Sequence, residues 1–269
     1  MDALLKVEKL FGGYGRETVL KDISFEIIRG EFLGIIGPNG SGKSTLLRLM
    51  SRVLYPQKGM VLFEGKDITK IGLKKLCQKI AFVPQDTLIS FSFTVWEIVL
   101  MGRIPHLKRF QFETKKDFLI AQNSLRLTDT VGLREKSIDQ LSAGERQRVV
   151  ISKALAQEPN LLFLDEPTSH LDIGHQIRIL DLLKGINREK GLTVVVVLHD
   201  LNLASEYCER LILLNNGRIF RDGKPDEVLT YRNIEEVYKT TVLVNTNPKS
   251  LKPHVMLISN IEQCVQNYS

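Results

Sequence analysis

A glycine-rich loop at residues 37–45 is the clearest chemical feature of the sequence. It reads Gly-Pro-Asn-Gly-Ser-Gly-Lys-Ser-Thr and fits the phosphate-loop pattern G-x-x-x-x-G-K-[ST] at every position. In such a loop the backbone N–H groups point at one centre, and the helix that follows adds the positive end of its dipole. Lys43 can then reach the β- and γ-phosphates, and the hydroxyl of Ser44 can ligate Mg²⁺. We interpret the loop as a binding site for a nucleoside triphosphate.

Two acidic residues, Asp165 and Glu166, directly follow the apolar run 161–164. Ligand sites in parallel α/β sheets lie beyond the carboxyl ends of the strands, so we expect both acids near the phosphate loop. Asp165 is suited to hold Mg²⁺ through water, and Glu166 is suited to orient or deprotonate an attacking water. The alternative is that both acids only cap a helix, and the phosphate loop upstream argues against it.

Three further polar residues have both a structural and a chemical interpretation. His199 follows the apolar run 194–198 and could contact a γ-phosphate. Gln85 follows a short apolar strand, and Tyr14, in a glycine-rich turn, could stack on a base. Taken alone, a histidine is more often structural, Gln85 is an ordinary loop glutamine and Tyr14 is an exposed aromatic residue of a turn.

The segment 141–145, Leu-Ser-Ala-Gly-Glu, is predicted to begin a helix. Ser142 and Glu145 fit the capping box S-x-x-E, which satisfies free N–H groups at a helix start. A helix N-terminus among small residues is also an anion site. A second phosphate-directed element is unexpected if one site is all that the protein needs.

The elements that must position these residues are of the α/β type. Continuous apolar runs at 32–36, 161–164 and 193–198 predict strands buried on both faces, as in a parallel sheet. Alternation over 23–27 predicts a half-buried strand. Residues 94–157 are mostly helix formers and predict a helical lobe inserted in the core.

The other predicted elements are local. Apolar residues up to Val53 recur at helical spacing after the phosphate loop. Helices are expected at 177–190 and 226–239, and a hairpin is expected over 211–220. The tail after Thr240 has no predicted structure.

Composition narrows the class of protein. The 269 residues are 43% hydrophobic and 25% charged, as in an ordinary globular protein. The apolar runs are too short to span a bilayer and the N-terminus does not resemble a signal peptide, so we expect a cytosolic chain or one attached to a membrane through a partner. Cys77, Cys208 and Cys264 have no metal or disulfide spacing. The net charge of +6 includes no long basic run, which favours a solvated surface.

Taken together and in this order, the motifs resemble the nucleotide-binding subunit of an ATP-binding cassette (ABC) transporter. The resemblance covers about residues 4–240, and the segment 141–145 shortly before 161–166 is its family-specific part. It implies ATP and Mg²⁺ as cofactors. It also implies an α/β fold with a P-loop NTPase (RecA-like) core, an N-terminal antiparallel β subdomain and an inserted helical subdomain.

The resemblance implies boundaries for these parts. The ABC ATPase domain is expected over residues 1–240, with the helical subdomain inserted at about 91–157, and residues 241–269 form a C-terminal extension.

The resemblance also implies a role for each candidate residue. Tyr14 matches the aromatic residue that stacks on adenine, and Gln85 matches the glutamine that touches Mg²⁺ and senses the transporter subunit. Asp165 matches the Mg²⁺-linked acid, Glu166 the catalytic base and His199 the switch histidine. The phosphate- and Mg²⁺-binding residues of the loop are Asn39, Gly40, Ser41, Gly42, Lys43, Ser44 and Thr45.

The segment 141–145 is the signature of this family, and it implies a second copy of the chain. Ser142 and Gly144 of one copy contact the phosphate held by the other, so two ATP molecules are sandwiched in a head-to-tail dimer with C₂ symmetry. The loop at 169–172 matches the one that crosses the dimer interface. Ala143 and Glu145 depart from the commonest form, Leu-Ser-Gly-Gly-Gln, and both suit a capped helix start.

A narrower resemblance rests on residues 102–106, Gly-Arg-Ile-Pro-His, which follow the predicted strand and glutamine. This element is similar to one in importers of iron-siderophores, haem and cobalamin. It implies integral membrane permease subunits as partners, an extracellular solute-binding protein as an indirect one, no nucleic acid, and a peripheral location on the cytoplasmic face of the membrane. The docking groove is expected at 85–103. A soluble ABC ATPase acting on nucleic acid or ribosomes, and an exporter cassette, remain alternatives.

Overall fold

The computed structural model describes residues 3–85 and 92–258. Some of the predictions concern residues outside these ranges. They are Cys264 and the last part of the expected C-terminal extension, and also the first residue of the expected helical subdomain and part of the expected docking groove. The strands are β1 (Ala3–Gly12), β2 (Leu20–Ile28), β3 (Phe32–Ile36), β4 (Lys58–Phe63), β5 (Lys66–Asp67), β6 (Ile80–Val83), β7 (Leu161–Asp165), β8 (Thr193–Val197), β9 (Arg210–Asn215), β10 (Arg218–Gly223), β11 (Val242–Thr246) and β12 (Pro253–Leu257). The α-helices are α1 (Lys43–Met50), α2 (Leu73–Cys77), α3 (Val95–Met101), α4 (Lys115–Leu127), α5 (Ala143–Ala156), α6 (Ile173–Lys190), α7 (Leu201–Tyr207), α8 (Pro225–Val228) and α9 (Tyr231–Tyr238).

The larger sheet has six strands in the order β10-β9-β3-β8-β7-β6. All its pairings are parallel except the hairpin of β9 and β10. Every residue of β3, β7 and β8 is buried, as the continuous apolar runs predict for strands covered on both faces. This sheet confirms the α/β prediction, and its parallel strands end on one side, where the candidate residues follow them.

A smaller antiparallel sheet has the order β2-β1-β4-β5. Its central strand β1 has no clear alternation, because its pairing is interrupted by register shifts between Ala3 and Leu5, Val7 and Leu10, and Leu10 and Gly12. A bulge places two residues opposite one and so breaks the two-residue period on which sequence prediction depends.

The helical lobe consists of α3, α4 and α5, which pack around their own apolar cluster. Thr94, Thr114 and Ser142 begin the three helices with capping boxes, in which side chain and backbone satisfy each other. The helical prediction for this region is therefore confirmed, with turns and short 3₁₀ segments between the helices.

The Gly-Arg-Ile-Pro-His element joins the lobe to the larger sheet. Arg103 is almost fully buried, and its Nη1 donates to the carbonyl of Ala156 at 2.6 Å, at the end of α5. The Nε2 atom of His106 lies 2.9 Å from the carbonyl oxygen of Gln157. From the other side, Gln78 donates to the carbonyl of Pro105 at 2.7 Å. The element thus connects α3 to the segment that leads into β7.

Three local predictions were wrong or incomplete. The helix expected from residue 177 begins at Ile173, because Asp172 caps it by accepting from His175 N–H. The helix expected over 226–239 is two helices, α8 and α9, and Thr230 caps the second. Val53 lies beyond the end of α1 and is exposed.

The tail after Thr240, for which we predicted no structure, forms the antiparallel hairpin of β11 and β12. Within residues 3–85 and 92–258, none of the helices combines the length and the apolarity that crossing a membrane requires.

Candidate functional site

The phosphate loop connects β3 to α1, as predicted. Gly37 and Gly42 have φ values of 147° and 103°, which residues with a side chain rarely adopt. A Cβ on Gly37 would lie 2.3 Å from the carbonyl oxygen of Leu214, so the loop also needs glycine there for space. Gly42 is the N-cap of α1 and offers no side chain to its first N–H groups. These groups are the donors that an anion would use.

Lys43 and Ser41 are two of the buried polar residues of the loop, with Thr45 the third. The Nζ atom of Lys43 donates to the carbonyl oxygens of Gly37 at 2.9 Å and Pro38 at 3.0 Å. Burial lowers the pKa of Lys43, although Glu166 and Asp165 nearby oppose that shift. Ser41 Oγ is buried and has no hydrogen-bond partner among the described residues. Both observations fit a loop whose polar groups are arranged for an external anion.

Asp165 ends β7, and its Oδ1 accepts a hydrogen bond of 2.9 Å from Ser44 Oγ. Burial raises the pKa of Asp165, while the Ser44 bond acts in the opposite direction. A buried carboxylate is unfavourable without a charged partner, and the cleft lies beside it. The strand end therefore holds a carboxylate and a hydroxyl in contact, the oxygen ligands that Mg²⁺ prefers.

Glu166 is the centre of the polar contacts at the site. Its Oε2 accepts from Gln85 Nε2 at 2.6 Å, and its Oε1 is in contact with His199 Nε2. Its backbone has φ of 50°, the left-handed region, and its carbonyl accepts from both N–H and Oγ of Ser169. Such a conformation is uncommon for a residue with a side chain. The turn thus fixes the carboxylate between an amide and an imidazole.

Most of these residues border one cleft of about 580 Å³, whereas Ser41 and Asp165 are buried and are not among its lining residues. The predicted residues that line it are Asn39, Gly40, Gly42, Lys43, Ser44, Thr45, Gln85, Glu166 and His199. Glu17 and Val19, between β1 and β2, also line it and were missed by sequence reasoning. They come close only because the smaller sheet folds against the loop, and the one sequence signal was their position just after the turn at Tyr14.

Tyr14 is not among the lining residues. The residue is 44% exposed, and its hydroxyl accepts from Arg48 Nη1 at 2.8 Å, which holds the side chain beside α1.

Ser142 and Gly144 are likewise absent from the described lining of the cleft. Ser142 is exposed at the start of α5, where it exchanges capping-box hydrogen bonds with Glu145. The N–H and hydroxyl of Ser142 lower the pKa of Glu145. Gly144 is buried because the ring of His175 covers it, and a Cβ there would lie 2.3 Å from His175 Cδ2. The structure therefore does not bring the signature to its own chain's phosphate loop.

The residues described contain no cluster of three or more His, Cys, Asp or Glu side chains that could hold a metal on their own. Magnesium does not need such a cluster, because it is usually bound by one or two carboxylates, water and the phosphates of a substrate. Ser44 and Asp165 fit that arrangement. Gln85, the third predicted metal ligand, donates through its Nε2 to Glu166 and keeps its amide oxygen for another partner.

Comparisons with known proteins show the family of the chain. The family model described as ABC transporter matches residues 20–169. The ABC transporter ATP-binding protein YvrA of Bacillus subtilis is 42% identical over 94% of this chain, which spans only 58% of the length of YvrA. The ferric enterobactin transport ATP-binding protein FepC of Escherichia coli is 41% identical over 94% of both chains.

Solved structures share the fold as well. An inward-facing structure described as a metal-chelate type ABC transporter superimposes with a TM-score of 0.85 at 29% identity, covering 97% of this chain and all of that one. The phosphate loop, the acids after β7 and the capped start of α5 lie within the residues that the family model matches, and the chain belongs to the ABC transporter ATP-binding proteins.

Proposed function

We propose that this chain hydrolyses ATP to ADP and phosphate and powers an ABC importer. The observation that supports this best is the convergence of Glu166, Gln85 and His199 on the phosphate-loop cleft. A phosphate loop alone would serve any nucleoside triphosphatase. A carboxylate held between an amide and an imidazole beside that loop is suited to orient and deprotonate an attacking water.

In this proposal the phosphate loop binds the triphosphate, and Lys43 changes its hydrogen-bond partners to do so. Lys43 exchanges the carbonyl oxygens of Gly37 and Pro38 for phosphate oxygens, and the negative charge favours its protonated form. Backbone N–H groups of the loop and Ser41 Oγ donate to the remaining oxygens. Ser44, Asp165 and Gln85 would hold Mg²⁺, which when bound neutralises charge on the phosphates.

Glu166 is the proposed general base. Gln85 and His199 keep its carboxylate in place, and the left-handed turn at Glu166 aims it into the cleft. His199 is also the proposed contact for the γ-phosphate. Tyr14 lies outside the cleft lining, so its proposed role of stacking on adenine places the base beside α1.

A second copy of the chain is the proposed source of the missing phosphate contacts. Ser142 is exposed and Gly144 lies in the same first turn of α5, away from the cleft of their own chain. A head-to-tail dimer would bring them to the partner's ATP. The proposed functional unit within each chain is an ABC ATPase domain at 1–240, with the helical subdomain at about 91–157 and an extension at 241–269.

For cargo we propose an iron chelate, haem or cobalamin, delivered by a solute-binding protein to permease subunits on which this chain docks at the cytoplasmic face. The printed names of FepC and of the metal-chelate transporter support an iron-containing cargo. The buried Arg103 and the close fit of Gly102 on α5 give the Gly-Arg-Ile-Pro-His element a structural role that is independent of cargo. Nothing on the described surface favours the soluble or the exporter alternative.

ATP hydrolysis by the purified full-length chain tests the enzymatic part. We expect Mg²⁺-dependent phosphate release that Ser44→Ala reduces, with Ser51→Ala, just beyond the end of the same helix, as the matched control. Wild-type chain that binds ATP without releasing phosphate would contradict it. Affinity capture from solubilised native membranes tests the transport part, and recovery of ribosomal proteins or nucleic acid in place of a permease would contradict that part.

A further inference from the structure

The C-terminal hairpin of β11 and β12 packs on α7, the helix that begins two residues after His199. Val242 and Val255 of the hairpin are buried in the same apolar cluster as Ala204 and Cys208 at α7. The hairpin therefore belongs to the core that supports the carboxyl end of β8.

Asn202 of α7 pairs with the hairpin as a neighbouring strand would. Its Nδ2 donates to the carbonyl oxygen of Val255 at 3.1 Å, and its Oδ1 accepts from the N–H of Val255 at 2.7 Å. Its own N–H donates to Asp200 Oδ1, the cap of α7, at 2.8 Å. One residue thus links strand β12 to the first turn of the helix.

Two more residues of α7 extend this attachment. Ser205 Oγ donates to the carbonyl oxygen of Pro253 at 2.7 Å. The carboxylate of Glu206 accepts from Asn247 at 3.0 Å and from Ser250 at 2.6 Å, both in the turn of the hairpin. The contacts run along the length of α7.

A helix as short as α7, with seven residues, is not stable through its own backbone hydrogen bonds. Its position depends on what it packs against. His199 lies just before its cap, has a side chain that is 46% exposed, and contacts Glu166 through Nε2. Within residues 3–85 and 92–258 that ring makes no other hydrogen bond or ion pair, so its direction depends on the backbone that leads into α7.

We propose that the C-terminal hairpin is a positioning device for the site, and that Asn202 is the positioning residue through which β12 holds α7 and keeps His199 against Glu166. The inference rests on the proposed ATPase function. It assigns a role to the part of the chain for which the sequence predicted no structure.

A double-mutant cycle tests the proposal in the full-length chain. We expect Asn202→Ala to lower kcat by about tenfold with an unchanged KM for ATP, as for a misplaced catalytic group. In a His199→Ala background the same change should have no further effect, because the side chain through which Asn202 acts is already absent. Asn202→Gln keeps a side-chain amide with its donor and its acceptor, so it should restore part of the rate. Additive losses, or no loss from Asn202→Ala, would overturn the proposal.

A second readout does not require hydrolysis. The chain has five histidines, so the imidazole NMR signal of His199 can be assigned by its loss in His199→Ala. We expect Asn202→Ala to shift and broaden it, and an unchanged signal would overturn the inference even if the wild type proved inactive. If Asn202→Ala does not fold, Ser205→Ala takes its place in both measurements. An inactive wild type would refute the proposed function, whereas an active one that is sensitive to His199→Ala but not to the α7 variants would refute only this inference.

Discussion

Charged side chains are buried in two regions, the helical lobe and the phosphate-loop cleft. Pairing dominates their pKa values in the lobe, and burial dominates them in the cleft. In the lobe, burial alone would raise the pKa of Asp117, but hydrogen bonds from Thr114 and the pairing with Arg103 outweigh it and lower the pKa to about 2. In the cleft, burial dominates, lowering the pKa of Lys43 and raising that of Asp165.

The difference separates structural charges from functional ones. In the lobe, the hydrogen bonds and the opposite charge offset the cost of burying Asp117 and Arg103, so this pair needs no ligand. The cleft leaves its charges undercompensated, which is the arrangement expected where a charged ligand completes the site. Changes in the cleft should therefore act mainly on ATP binding and hydrolysis, and changes in the lobe should act mainly on the free energy of unfolding.

Glu166→Gln should lower the rate of ATP hydrolysis by about 10²–10⁴-fold, because the general base is lost while the shape of the side chain is kept. ATP binding should persist, and the bound state should accumulate as a closed dimer. Single-turnover hydrolysis and size-exclusion chromatography with ATP would measure both effects. Turnover at the wild-type rate would exclude Glu166 as the base.

Arg103→Met should destabilise the protein by about 3–5 kcal/mol, because it leaves Asp117 buried without its charged partner. Chemical denaturation would measure the change in unfolding free energy. Adding Asp117→Asn should recover part of the loss by removing the unpaired charge. A single variant as stable as the wild type would show that the pair does not support the lobe.

Lys43→Ala should weaken ATP binding by about 1.5–3 kcal/mol, the value of a hydrogen bond to a charged group. Calorimetric titration with ATP would measure it. The unfolding free energy should change little or rise, since the buried Lys43 charge is undercompensated without ligand. Unchanged affinity would remove Lys43 from the phosphate site.

Acid should weaken the lobe through Asp117. The pKa of Asp117 is about 2 in the folded chain against an ordinary value of 3.8. Its contribution to the free energy of unfolding is therefore complete above pH 3.8 and disappears as the pH falls toward 2. The loss should be about 2 kcal/mol, at 1.36 kcal/mol per pKa unit. Denaturation at several pH values would measure it, and the control Asp117→Asn should abolish this part of the pH dependence. An equal slope in both proteins would contradict the assignment.

The parts of the site that were predictable depend on local chemistry. The phosphate loop requires glycines that adopt positive φ, and the acids follow an apolar run whose end must lie at the edge of the sheet. The capping box at Ser142 is equally local. The bulges in β1, the break before Thr230 and the hairpin after Thr240 depend on pairing with distant residues, and the two-residue or helical period does not report them.

The sequence by itself identified the candidates for binding phosphate and for activating water, because suitability for these roles belongs to side-chain type and to backbone freedom at single positions. Only the tertiary structure decided which of them meet. It placed Glu166 between Gln85 and His199, and set Gly144 under His175 and away from the cleft. Contacts between residues far apart in sequence depend on how the sheets and the lobe pack, which no local pattern specifies.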